Sequence, residues 1–103
     1  MGKEIIKRFI KGIKMTLVGY KSGNHYCIKN IETNDIFGTS QIGILLDYIE
    51  KFYKNPNTLE RNNDVLFVWE DENGKEIFSS NVWDSVFSFL VTKKLYDIIC
   101  EIL

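Results

Sequence analysis

Asp64-Val65-Leu66-Phe67-Val68-Trp69 is a nearly continuous apolar run. Such a short run, rich in β-branched and aromatic residues, is the pattern of a strand buried on both faces. Glu70-Asp71-Glu72-Asn73-Gly74-Lys75 follows, and its Asn-Gly step supplies the positive φ angles of a hairpin turn. Glu76-Ile77-Phe78-Ser79 is then the return strand. A two-residue turn and a longer turn with a bulge at Gly74 both fit, and the two send different side chains to the core. The rest of the chain must build a domain around this hairpin of 64–79.

The preceding segments supply more strands and one clear helix. Met15–Tyr20, His25–Ile31 and Ile36–Gly38 are β-rich, and the turn clusters Ser22-Gly23-Asn24 and Glu32-Thr33-Asn34-Asp35 separate them. Three short strands joined by tight turns predict an antiparallel meander over 15–38. Ile42, Leu45, Leu46, Ile49, Phe52 and Tyr53 recur at helical spacing after the cap formers Thr39 and Ser40, and Asn55-Pro56-Asn57 ends the pattern. A helix is therefore expected over 40–54.

The two ends are less sharply patterned. Ile5, Ile6, Phe9, Ile10 and Ile13 fall on one face of a helix near 3–13, with lysines and Arg8 on the other, although a strand competes for the same residues. Asn81 and Asp84 resemble an N-terminal cap pair for a helix over 81–103. Trp83, Val86, Phe87 and Leu90 form its first apolar face, Thr92-Lys93-Lys94 interrupts it, and Leu95, Ile98, Ile99 and Ile102 resume it. One long helix with a shifted stripe, or two elements, fits this pattern. The apolar ending Ile102-Leu103 predicts a docked C-terminus. The expected fold is α+β: an antiparallel sheet of about five strands, with helices near 3–13, 40–54 and 81–103 packed on one face.

Length and composition bound the function. A chain of 103 residues is the size of one domain. Its 45% hydrophobic and 26% charged residues argue against disorder. The absence of alanine and the excess of lysine over arginine point to AT-rich coding, as in a low-GC bacterium or one of its mobile elements. No apolar run is long enough to span a bilayer, and charges interrupt the N-terminal apolar positions, so a cytoplasmic location without integral membrane association is expected. Cys27 and Cys100 form no CxxC or metal array and are expected as free thiols, though the sequence leaves a single bridge open. No phosphate-binding loop, HExxH or nucleophile elbow is present, so neither enzyme chemistry nor a cofactor is expected. His25 and Cys27 share a strand face, which is the arrangement that could activate a thiol, but such period-two pairs are common in ordinary strands.

Charge gives the remaining candidates. Residues 1–29 hold one acid, Glu4, against seven basic residues, whereas 30–76 hold ten acids against four. The basic face of Lys3, Lys7, Arg8, Lys11 and Lys14 could follow a phosphate backbone, with Tyr20, Tyr26 and Lys29 extending the surface, could lie on an anionic membrane surface, or could simply face water. The acids Glu70, Asp71, Glu72 and Glu76 project at the hairpin tip. Trp69 and Trp83 bracket the hairpin and are expected as core anchors; were Trp69 exposed beside the acids, it would complete an aromatic-edged patch for a basic protein surface, while a solvated turn is the plainer alternative and a divalent-cation site the weaker one. The expected function is a non-enzymatic module that binds a larger protein, in its most specific form a mobile-element inhibitor of a defence nuclease. Nucleic-acid binding by residues 3–29 is the alternative. An edge strand or the apolar C-terminal helix also offers a route to a homodimer.

Overall fold

The computed structural model of the chain describes residues 12–54 and 61–102. Within them lie β1 (Met15–Ser22), β2 (His25–Asn30), β3 (Ile36–Thr39), α1 (Ile42–Tyr53), β4 (Val65–Glu70), β5 (Glu76–Ser80) and α2 (Trp83–Ile102). The five strands form one sheet in the order β3-β2-β1-β4-β5. The meander and the hairpin are both present as antiparallel units, but β1 and β4 pair in parallel, so the sheet is mixed.

The parallel pair has a simple cause. Strands β1 and β3 run the same way because β2 lies between them. Helix α1 then carries the chain back across the sheet, so β4 starts from the same end as β1. Parallel neighbours need a long connection, and here β2, β3 and α1 supply it. An all-antiparallel sheet would have needed β4 to start from the opposite end.

Both helices cover one face. Leu17, Tyr26, Ile28, Val65, Phe67 and Trp69 of the sheet pack against Leu45, Ile49 and Tyr53 of α1 and Trp83, Val86 and Leu90 of α2. A smaller apolar cluster on the opposite face joins Val18, Leu66 and Val68 with Ile13 and Ile31. The double burial expected for β4 thus holds from Val65 to Trp69.

Several local expectations are corrected. Gly12 and Ile13 are not helical, and the rest of the helix expected near 3–13 lies outside the described residues. Gln41 occupies the α1 cap position without a side-chain bond, while the Thr39 hydroxyl accepts the Gln41 N–H at 3.1 Å and shapes the approach. Asn81 and Asp84 do not cap α2 together. The Asn81 amide donates to the Asn63 carbonyl at 2.8 Å, and Asp84 pairs with Arg61 at 2.8 Å. Segment 83–102 is one helix, and Ile102 is 79% exposed, so its last turn is not docked.

Candidate functional site

Because β1 and β4 are adjacent and parallel, their C-terminal ends lie side by side. From there the chain leaves in opposite directions: β1 turns through Gly23-Asn24 into β2, and β4 turns through residues 71–75 into β5. Divergent exits from neighbouring parallel strands leave a crevice between them, the topological switch point at which open sheets receive ligands. Such a crevice is present. A cleft of about 480 Å³ is lined by Lys21 and Gly23 from the first hairpin, Trp69, Glu70, Asp71, Glu72 and Ile77 from the second, and Lys93 from α2.

Each wall has an identifiable support. The acidic wall rests on the turn. The Gly74 N–H donates to the Asp71 carbonyl at 3.0 Å, and Gly74 has φ of 78°, a value that favours glycine. The Asp71 N–H donates to the Lys75 carbonyl at 2.9 Å, so residues 72–74 form a three-residue loop with Gly74 in the left-handed position and not a two-residue Asn-Gly loop; a separate register shift between Trp69 and Glu70 makes Ile77 the extra residue of β5. Asp71 Oδ1 accepts the N–H groups of Asn73 and Lys75, both at 2.9 Å. Asp71 is therefore first a turn former, whereas no such bond ties Glu70 or Glu72 to the turn backbone.

The basic wall rests on Asp97. Its Oδ2 accepts the Tyr26 hydroxyl at 2.8 Å and the Lys21 ammonium at 3.2 Å, and its Oδ1 accepts Lys93 at 3.2 Å. The Asp97 side chain is 11% exposed. Burial alone would push its carboxyl up, but the hydrogen bonds from Tyr26, Lys21 and Lys93 outweigh that and hold it below the usual carboxylate range. Lys21 and Lys93 face Asp97 here, and the Glu101 carboxylate is close enough to act on the Tyr26 hydroxyl as well. Lys94 adds a further cation, 5.4 Å from the centre of the Tyr26 ring. Lys21 and Lys93 thus line one side of the cleft, and Glu70, Asp71 and Glu72 the other.

Trp69 lines the cleft without adding charge to either wall. It is 1% exposed, with its ring among Tyr26, Phe67 and Phe89, so it supports the cleft from the core and gives no exposed aromatic edge. Trp83 is buried as well. The indole of Trp69 lies over Gly19, its register partner on β1.

The other sequence candidates fall elsewhere. Glu76 is the register partner of Glu70 but does not line the cleft. Lys3, Lys7, Arg8 and Lys11 lie outside the described residues, and Lys14 is exposed. Tyr26 is buried with its hydroxyl on Asp97, so it offers no face for stacking bases. His25 is exposed and Cys27 half-buried on β2, with Ser22 and Tyr20 as their register partners on β1. Burial and the neighbouring Cys27 thiol push the Tyr20 hydroxyl up. Cys27 and Cys100 are both free. Among the described residues no group of three or more His, Cys, Asp or Glu side chains is placed to hold a metal, and no helix is long and apolar enough to cross a membrane.

Residue-by-residue reading of the sequence missed Lys21, Lys93 and Asp97. The i,i+4 spacing of Lys93 and Asp97 is a visible helical pair. The arrival of Lys21 and Tyr26 depends on how α2 crosses the sheet, which no local pattern records. No family model, curated protein or solved structure matches the chain.

Proposed function

We propose that this protein is a non-enzymatic binding module that receives a basic segment of a larger protein in the cleft between its two hairpins. One observation carries the reading: Glu70 and Glu72 stand on one wall of a switch-point crevice whose other wall carries Lys21 and Lys93. A solvated turn needs no such crevice. A lysine or arginine side chain entering the cleft meets the two glutamates, while the backbone carbonyls or acidic groups beside it meet the two lysines. This pairing fixes both place and direction along the bound segment, and opposite charge speeds the encounter.

A nucleic-acid groove on a partner is rich in basic segments, so a nuclease is the specific class of target this chemistry fits. Inhibition of such an enzyme by a mobile element is the sharpest form of the proposal and rests on charge alone. The nucleic-acid reading has less support. Within residues 12–29, Tyr26 is buried and offers no face on which a base could stack.

The test is affinity capture from bacterial lysate at graded salt, with nuclease added, comparing the wild type with Glu70→Lys/Glu72→Lys. Asp71 is left intact because it holds the turn. The proposal expects a protein captured by the wild type and lost from the variant. Equal capture by both, or recovery of nucleic acid alone in samples without nuclease, would remove it.

A further inference from the structure

Helix α2 carries two apolar rows. The first, Trp83, Val86 and Leu90, is buried on the sheet and continues through Lys93 and Asp97, whose charges are paired. The second is Phe87, Val91, Leu95, Ile98 and Ile102, with steps of four, four, three and four residues. It is the first row moved on by one residue, which is about 100° around the helix. That rotation turns it away from the core. Leu95 is 56% exposed and Ile102 79%; Phe87, Ile98 and the adjoining Ile99 are also exposed. The interruption at Thr92-Lys93-Lys94 is therefore the place where the apolar pattern passes from the buried row to the exposed one.

We infer that this second row is a homodimer interface in which α2 packs against α2 of a second copy about a two-fold axis. Three features select a second copy as the occupant. Steps of three and four make a continuous ridge along a 20-residue helix, the form that another helix of the same kind accepts in its groove. The row itself carries no charge, so bringing it against itself creates no like-charge contact in its centre. Its size also fits. The exposed parts of Phe87, Leu95, Ile98, Ile99 and Ile102 amount to roughly 500 Å² per copy, given ~200 Å² for a large apolar side chain. Complete burial of these residues in both copies would remove at most about 1,000 Å², the size of a weak, concentration-dependent association. A patch of roughly 500 Å² lies within the ~300–600 Å² range of a monomer's largest apolar patch, which is often a functional surface. The two-fold arrangement closes the contact on itself, so assembly stops at two.

The dimer leaves the cleft open. Lys93 belongs to the buried side of α2, and both hairpins lie on the sheet. The inference therefore stands or falls independently of the proposed partner.

Sedimentation equilibrium over a concentration series tests it on the whole chain, comparing the wild type with Leu95→Lys/Ile98→Lys. The wild type is expected to approach twice the 12.1 kDa chain mass as concentration rises. The variant is expected to stay at the single mass across the same range. Both side chains are exposed in the monomer, so the variant keeps its helical circular dichroism and melts as a folded protein. A second variant, Leu95→Cys with Cys27 and Cys100 replaced by serine, places a thiol near the axis and forms a disulfide dimer on oxidation. A wild type that remains monomeric into the millimolar range overturns the inference. So does a folded double variant that dimerises as well as the wild type, or a wild type that gives an open ladder of higher species.

Discussion

Gly19 is the position where one added methyl group should matter most. A Cβ there would stand 2.6 Å from Trp69 Cε3, 2.9 Å from Cζ3 and 3.0 Å from Phe67 Cζ. Ordinary carbon contacts lie at about 3.5–4.0 Å, so the indole would have to retreat by roughly 1 Å. Tyr26, Phe67 and Phe89 crowd it within the core and leave only the side that lines the cleft. Overpacking of this kind costs about 1–3 kcal/mol. Replacing glycine also restrains the unfolded chain, which offsets about 0.4–1 kcal/mol of that. Gly19→Ala is expected to lose on the order of 1–2 kcal/mol net. For a domain near this size each kcal/mol moves the midpoint by about 4–8 °C, so the melt should shift down by roughly 5–15 °C. Thermal and urea melts by circular dichroism measure it. A smaller ring at position 69 should restore room, so Gly19→Ala/Trp69→Phe is expected to be less damaged than the sum of its single variants. An unchanged or raised midpoint for Gly19→Ala, or strict additivity in the cycle, would refute the packing of Trp69 over β1.

Further expectations concern the charges and tyrosines around the cleft. Asp97→Ala should cost about 1–3 kcal/mol, because it strands a buried hydroxyl and two partly covered ammonium groups. Asp97 has a lowered folded-state pKa, so its contribution is present above the unfolded value near 4 and is lost as pH falls through the folded one. Urea melts between about pH 2 and 6 should show the wild type losing its advantage over Asp97→Ala on acidification. Asp71→Ala should cost about 1 kcal/mol by releasing two backbone N–H groups, while Glu72→Ala should stay within about 0.5 kcal/mol. Burial pushes the Tyr26 and Tyr53 hydroxyls up, so the stability tied to their neutral forms is present below about pH 10 and declines above it. In an ultraviolet titration these two tyrosines should ionise last, with the loss of folded signal.

Much of this architecture was legible because it is encoded locally. The apolar run of β4, the three strands of the meander and the helical spacing from Ile42 to Tyr53 all appear where their periods place them. The parallel pairing of β1 and β4 was within reach of the same information. Strands β1 and β3 are the two edges of the meander and run in one direction, so a strand returning after a single helix is parallel to either edge. Choosing the β1 edge, and with it the switch-point cleft, depends on packing among Leu17, Phe67 and Trp69 that no short window contains. The acidic residues of the tip could be named from the sequence, but their division of labour could not. Asp71 serves the turn, Glu70 and Glu72 are among the residues lining the cleft, and Trp69 goes to the core because Gly19 makes room for it. The second row of α2 was visible only as an interruption, since a one-residue offset reads as a broken stripe until the helix is seen to be continuous.

Whether a basic segment enters the cleft between the two hairpins is read directly by amide chemical-shift mapping. The ¹⁵N-labelled protein is titrated with a short lysine- and arginine-rich peptide at low salt. Shifts are expected to cluster at Lys21, Gly23, Trp69–Glu72, Ile77 and Lys93, fade with added salt and disappear in Glu70→Lys/Glu72→Lys. Shifts spread evenly over the acidic residues of the middle segment, such as Asp47 and Glu50, or no shifts at all, would contradict binding in the cleft.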